Sequence, residues 1–289
     1  MNIGLRTLST YLELSRPING VIAFISVLLG AVFATGDAPI TGINAIGNLD
    51  VLTVAVSALL LLSAGNALND YCDHKIDQIN KPHRPIPAGR IQRRDALIFA
   101  VVLLGFGTLL GFLVNQYAAL IAVVVSGCLI GYALWLKRAP FVGNLVVGAL
   151  TGLTFIAGGI AVASVRGVLA PAIFAFLFTT AREIVKDIED AEGDLEYNAQ
   201  TIAVISPRAA VLMALGFMAA VILFSPIPYL LDWYSLPYLL TVIVGVDAVL
   251  IYFAVRLWRD ASKENSAKIQ RWMKWDIFVG LGAIYVGSL

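Results

Sequence analysis

The chain has 289 residues, 59% of them hydrophobic and 13% charged, with a net charge of +1 and two cysteines. Soluble domains run at roughly 45–50% apolar and about 25% charged residues. The composition therefore excludes disorder, a coiled coil, a disulfide scaffold, nucleic-acid recruitment by bulk charge and an ordinary cytosolic enzyme, and leaves a polytopic membrane protein.

A helix crosses the hydrocarbon core with about 20 apolar residues. Nine stretches qualify, at roughly 17–35, 50–69, 96–114, 117–136, 142–164, 168–186, 208–225, 236–257 and 269–288. The alternating pattern of outer-membrane strands is missing from the sequence. The expected class is an all-α membrane protein with about nine transmembrane helices in one bundle, a single domain over residues 1–289. The first span follows Arg16-Pro17-Ile18-Asn19 and ends without a small-residue cleavage site, so it reads as a span and not as a signal peptide. The second ends in Asn66 and Asn69, three apart and so on one face, and runs into a loop at about 70–95 that begins with Asp70, Asp73 and Asp77. Pro82, Pro85 and Pro87 stiffen that loop. Only Asn115-Gln116 divides spans three and four, and the last span is weak, so an eight-span reading stays open. Lys137-Arg138 lie between spans four and five, and Asn144 opens span five. Span six carries Arg182 and Lys186 one turn apart and leads into a second long loop, about 187–207, that begins with Asp187, Asp190 and Asp194. Span eight places Asp247 near mid-membrane, facing the interior as a functional acid or a helix–helix hydrogen bond.

With nine spans and the N-terminus inside, 19 of the 20 Lys and Arg residues fall on the cytosolic side, and only Arg166 falls outside. That asymmetry puts the N-terminus and both long loops, as caps, in the cytosol and the C-terminus outside. The two acidic sets share the spacing Asp-x2-Asp-x3-Asp, and each Asp of the first lies 117 residues before its counterpart in the second. Matched spacing suggests two pseudo-repeats. On helices continued past spans two and six, positions i, i+3 and i+7 fall within about 60° of one face and climb about 10 Å. Like charges on one stripe repel. Divalent cations relieve that repulsion, and hard oxygen ligands suit Mg²⁺, which takes one or two carboxylates with substrate phosphates and water.

The neighbouring bases, Lys75, Lys81, Arg84 and Arg90, then Lys137, Arg138, Arg182 and Lys186, suggest a phosphorylated ligand held through metal. The plainer alternative is a solvated helix end, and Glu189, Glu192 and Glu196 are read that way. His74 and His83 have no metal-ligand partners at sensible spacing. Cys72 and Cys128 read as small, buried or partly buried residues. Phe155, Phe174, Phe176 and Phe178 either line an apolar tunnel or simply pack. An ion-coupled transporter with inverted repeats is the competing class; the gathering of acids at one face, opposite an almost uncharged outer side, speaks against it.

Asn69-Asp-Tyr-Cys-Asp73-His-Lys-Ile-Asp77, followed by Asn80-Lys-Pro-His-Arg-Pro-Ile-Pro-Ala-Gly, resembles the first motif of UbiA-type intramembrane prenyltransferases. Lys186-Asp-Ile-Glu-Asp190-Ala-Glu-Gly-Asp194 resembles their second, and the likeness covers essentially the whole chain. The resemblance implies two Mg²⁺ ions between the motifs, holding the diphosphate of an isoprenyl donor. It makes Asn69, Asp73 and Asp77 the first catalytic set and Asp187, Asp190 and Asp194 the second, with Asp70 in support; the five Asp other than Asp70 and outside Asn69 are the metal ligands, namely Asp73, Asp77, Asp187, Asp190 and Asp194. Arg84, Lys137, Arg138, Arg182 and Lys186 would contact diphosphate or an acidic acceptor, and Arg16, Asn19 and Asn66 complete the substrate-binding set. Within the family, the stretch from Arg182 to Asp194 most resembles archaeal members that pass a geranylgeranyl group to geranylgeranylglyceryl phosphate in ether-lipid synthesis. Homogentisate, hydroxybenzoate and chlorophyllide are the alternative acceptors. The expected partners are the donor, a lipid-like acceptor and membrane lipids, with neither nucleic acid nor an obligatory protein partner.

Overall fold

The computed structural model describes residues 3–35, 45–165, 167–197 and 199–287, with the side chains of 3–6 and 138 left aside. Arg166, the one base expected outside, lies outside the described residues. Every regular element among the described residues is helical. In chain order these are α1 (Ile3–Ser15), α2 (Pro17–Ala34), α3 (Leu49–Asp73), the one-turn α4 (Asp77–Asn80), α5 (Arg93–Phe112), α6 (Gln116–Leu134), α7 (Val142–Ala161) and α8 (Leu169–Glu196). The one-turn α9 (Ile202–Ile205), α10 (Pro207–Phe224), the one-turn α11 (Ile227–Leu230), α12 (Leu236–Val242), α13 (Ala248–Arg259) and α14 (Lys263–Gly287) follow. A π-helical segment, Ile243–Asp247, joins α12 to α13.

Among the described residues seven segments are long and apolar enough to cross a membrane: α2, α3, α5, α6, α7, α10 through α11, and α12 through α13. The chain is a multi-pass membrane protein. Predicted spans six and nine fall on α8 and α14, which are 28 and 25 residues long. Charged residues break their apolar runs, Arg182, Glu183 and Lys186 in α8 and Arg271, Lys274 and Asp276 in α14. Phe106, Leu109 and Phe112 of α5 and Val123 and Val124 of α6 are exposed, a surface that suits lipid and not water.

Local chemistry accounts for the boundaries. Asn115 accepts hydrogen bonds from the N–H groups of Tyr117 (3.0 Å) and Ala118 (2.9 Å) and so caps α6. This cap separates α5 from α6 and removes the eight-span reading at that break. Asn48 caps α3 in the same manner, accepting from Asp50 N at 2.8 Å. α1 was not foreseen; it precedes Arg16, which adopts φ 52° in the left-handed region before Pro17. That conformation costs a non-glycine residue on the order of 1–3 kcal/mol, and it turns the chain into α2, where Pro17 suits the first helical position.

Two corrections concern the acidic segments. The loop expected at 187–207 is helical through Glu196, so α8 carries the whole second triad. The first triad does not share one helix: α3 ends at Asp73, residues 74–76 turn, and Asp77 opens α4.

Small residues set the helix packing. A Cβ on Gly158 of α7 would stand 2.0 Å from the carbonyl oxygen of Val27, and one on Gly30 of α2 would stand 2.1 Å from that of Phe155. The α2 and α7 backbones therefore approach as close as glycine permits. On its other side α7 meets α8, and α3 packs on α5, where Ser57 donates to the Gly107 carbonyl at 2.6 Å. The largest apolar cluster joins α2, α7 and α8 to α10–α14, with Phe155, Ile184, Met218, Leu250, Leu257 and Met273 at its centre. A second joins α2 and α7 to α3 and α6. Asp247 is buried beside Val246 of the largest cluster, where its Oδ2 accepts from Ser225 Oγ at 2.6 Å and Tyr238 OH donates to the Ser225 carbonyl at 2.7 Å. The hydrogen bond between helices, one of the two roles open to Asp247, is present.

Candidate active site

The end of α3, α4 and the loop after it face the end of α8. Asn80, the last residue of α4, donates from Nδ2 to the Asp190 carbonyl at 2.9 Å and accepts from Gly193 N at 3.2 Å. Gly193 allows this dock, since a Cβ there would stand 2.6 Å from the Asn80 side chain. Lys81 pairs with Asp190 Oδ1 at 2.7 Å and also with Glu189. These contacts bring the two acidic motifs together.

Within the first motif, Asp70 is 2% exposed and accepts from Arg16 and, at 3.2 Å, from Arg84. Arg84 also donates to both Asp77 oxygens, at 2.9 and 2.7 Å. Asp73 Oδ1 accepts from Lys137 Nζ at 2.5 Å. Asn69 Oδ1 is buried with no hydrogen-bond partner among the described residues. In the second motif, Asp187 accepts from Asn144 Nδ2 at 2.8 Å and Asp194 accepts from Thr201 at 3.3 Å. Neither has a cationic partner within ion-pair distance among the described residues.

Burial pushes the Asp77 carboxyl up to about 6, against the pull of Arg84, with Asp70 and Asp73 adding to the rise. Burial and the neighbouring Asp190 push Asp194 up to about 7. Such carboxylates are held in a place that wants more positive charge than the protein supplies. Among the described residues, no three His, Cys, Asp or Glu side chains converge closely enough to hold a metal ion unaided. The donor set nevertheless fits Mg²⁺, which takes hard oxygen ligands and completes its shell with phosphates and water: carboxylate oxygens and an Asn69 amide oxygen with no hydrogen-bond partner among the described residues.

A cavity of about 220 Å³ opens beneath the motifs. Arg16, Asn19, Asn66, Asn69, Arg182 and Lys186 form its polar end, and Ile22, Val54, Leu61, Leu129, Leu150 and Ile277 form its walls. Asn66 also donates to the Ser15 carbonyl at 3.1 Å, tying α3 to the α1–α2 turn. A smaller cavity of about 80 Å³ shares Ile22, Thr151, Thr179 and Ile277 with the first. Phe155, Phe174 and Phe178 line it, whereas Phe176 packs against Phe217 with ring centroids 6.4 Å apart.

Thus Arg16, Asn19, Asn66, Asn69, Arg182 and Lys186 share one cavity, and Arg84 and Lys137 sit on the carboxylates. The Arg138 side chain lies outside the described residues. Arg182 and Lys186 both pair with Glu183, each at 2.9 Å. Glu183 is buried and had no role in the sequence reading, although its place between two bases on α8 was a usable signal. Glu189, read as solvated, is 8% exposed and held by Lys81 and by Gln270 Nε2 at 2.9 Å. Its partners come from distant segments, so spacing along the chain gave no sign of it. Glu192 and Glu196 are exposed as expected. Cys72 and Cys128 are half-buried and form no disulfide.

Comparison with known proteins adds to this geometry. The family model described as the UbiA prenyltransferase family matches residues 23–278. The chain is 34% identical to digeranylgeranylglyceryl phosphate synthase of Methanosphaera stadtmanae, over 98% of this chain and 100% of that one. It superposes on a solved structure of digeranylgeranylglyceryl phosphate synthase with a TM-score of 0.73 and 32% identity, covering 97% of this chain and 98% of the other. A UbiA homologue from Archaeoglobus fulgidus, solved bound to DMAPP and Mg²⁺, shares the fold with a TM-score of 0.64 at 15% identity, over 94% of this chain and 99% of that one.

Proposed function

The chain belongs to the UbiA prenyltransferase family, and from that premise we propose that it transfers a geranylgeranyl group from geranylgeranyl diphosphate to geranylgeranylglyceryl phosphate, forming the second ether bond of archaeal membrane lipids. The observation that carries this reading is the pairing of two carboxylate motifs over an apolar cavity with a basic rim. The named relatives, matched over nearly their whole length, support the choice of substrates.

Two Mg²⁺ ions would be held by Asn69, Asp73 and Asp77 on one side and by Asp187, Asp190 and Asp194 on the other. When bound, Mg²⁺ supplies neutralisation of the departing diphosphate as a Lewis acid. Lys81 and Lys137 hold Asp190 and Asp73 in place. Asp70 and Arg84 fix the α3–α4 turn and the attitude of Asp77. The cavity walls take the C20 tail and keep water from C1 while positive charge develops there. As the C1–O bond to diphosphate breaks, the acceptor's glycerol hydroxyl oxygen bonds to C1; the ether forms, diphosphate leaves and the hydroxyl proton is released.

In this reading residues 1–289 are one membrane domain of nine spans, with α8 and α14 as the sixth and ninth, built of two pseudo-repeats. The N-terminus and the mouth of the site face the cytosol and the C-terminus faces outside, which suits the distribution of Lys and Arg. The test is a panel of acceptors with labelled geranylgeranyl diphosphate: geranylgeranylglyceryl phosphate, homogentisate, hydroxybenzoate and a chlorophyllide. Product is expected with the first alone; transfer only to an aromatic or chlorin acceptor refutes the assignment.

A further inference from the structure

The charges around the cavity divide into two compartments. On the motif side stand six acids, Asp73, Asp77, Asp187, Glu189, Asp190 and Asp194, against three bases, Lys81, Arg84 and Lys137. A phosphate approaching that side meets excess negative charge and needs added cations. The polar end of the cavity has the opposite balance. Its lining carries four bases, Arg16, Arg182, Lys186 and Lys274, and one acid, Glu183. Asp70, the partner of Arg16, is the only other acid joined to these bases by an ion pair among the described residues. Four bases against two acids leave an excess of two positive charges.

Lys274 stands out among the four. It is half-buried, it lines the cavity, and it makes no hydrogen bond or ion pair among the described residues. It lies one helical turn after Gln270 and so on the same face of α14. Gln270 binds Arg182 twice, through its carbonyl at 3.1 Å and its side-chain oxygen at 3.0 Å. Lys274 is thereby set beside Arg182, within electrostatic reach of Arg16 and Glu183. A lysine withdrawn from water with no ion pair among the described residues is costly, and an anion arriving in the cavity lowers that cost. Two surplus charges match a phosphate monoester, which carries about −1.5 to −2 at neutral pH.

We propose that Lys274, with Arg16 and Arg182, forms a metal-independent pocket for the phosphate of the acceptor, separate from the carboxylate motifs that serve the donor's diphosphate. The inference rests on the transfer reaction proposed above and deepens it. It explains how one cavity keeps two phosphorylated lipids in distinct places: one requires cations for binding, and the other meets a surplus of fixed positive charge.

The test compares wild-type enzyme with Lys274→Gln and Lys274→Arg in lipid nanodiscs. Lys274→Gln is expected to raise KM for geranylgeranylglyceryl phosphate tenfold or more while donor KM stays within twofold, and Lys274→Arg to recover most of the loss. In EDTA, geranylgeranylglyceryl phosphate is expected to raise the Tm of the wild type but not of Lys274→Gln, and geranylgeranylglycerol to shift both alike. An unchanged acceptor KM in Lys274→Gln, an equal rise in donor KM, or acceptor binding that requires Mg²⁺ overturns the pocket. If the wild type transfers to no glyceryl phosphate acceptor, the reaction itself is wrong. If the wild type transfers normally and Lys274→Gln matches it, only the pocket is wrong.

Discussion

Asp70 and Asp73 stand three residues apart and do different work. Asp70 is sealed beneath Arg16 and Arg84, whereas Asp73 is partly exposed and touches Lys137. Asp70→Ala would leave two arginines short of a carboxylate, a loss of roughly 1–3 kcal/mol for groups of this kind, to be read as a lower Tm in detergent. Asp73→Ala and Asp190→Ala are expected to stay folded and abolish transfer; full activity in either variant refutes the two-motif site. The carboxylates themselves were legible from residue type and repeated spacing. Their partners were less so. Glu189 passed for a surface residue because Lys81 reaches it from 108 positions away, an approach that only the folded loop creates. Glu183 and Lys274 were overlooked for a related reason: a charge inside an apolar helix reads as a boundary until its neighbours are known.

Helix boundaries followed the local code where a side chain met its own backbone. Asn115 and Asn48 cap their helices with contacts two or three residues away, so the breaks at these positions were visible in the sequence. The end of α3 was not. The turn at 74–76 carries Asp77 to Arg84 and Asn80 to α8, and those contacts lie across the fold. The second motif stays helical, and α8 has the 28 residues needed to carry it. Close helix packing offers its own test. Gly158→Ala places a methyl group against the Val27 carbonyl and is expected to cost about 1–3 kcal/mol. Gly127→Ala in α6 meets nothing within 4 Å and is expected to gain roughly 0.5–1 kcal/mol from helix propensity. Thermal unfolding of the two variants, measured side by side, checks the close approach of α2 and α7.

At the scale of the whole molecule, the apolar bundle and its ionic mouth depend on each other: the interior takes tails, and the mouth takes phosphates. EDTA is expected to stop transfer and Mg²⁺ to restore it, in an assay of labelled product; turnover without metal refutes the site. The proposed orientation is checked in a cysteine-free background with a membrane-impermeant thiol reagent on intact cells. Leu231→Cys is expected to react at once, and Ser262→Cys only after permeabilisation. Hydropathy, charge asymmetry and repeated Asp spacing are carried by neighbours along the chain, and they suffice to identify a multi-pass helical membrane protein with paired acidic motifs. Which charges neutralise one another depends on distances between segments remote in sequence, because electrostatic energy falls with separation in space and rises with burial. Only folding therefore shows that Arg84 belongs to Asp77 and Asp70, that Glu183 and Glu189 are buried, and that Lys274 faces the cavity with no ion pair among the described residues.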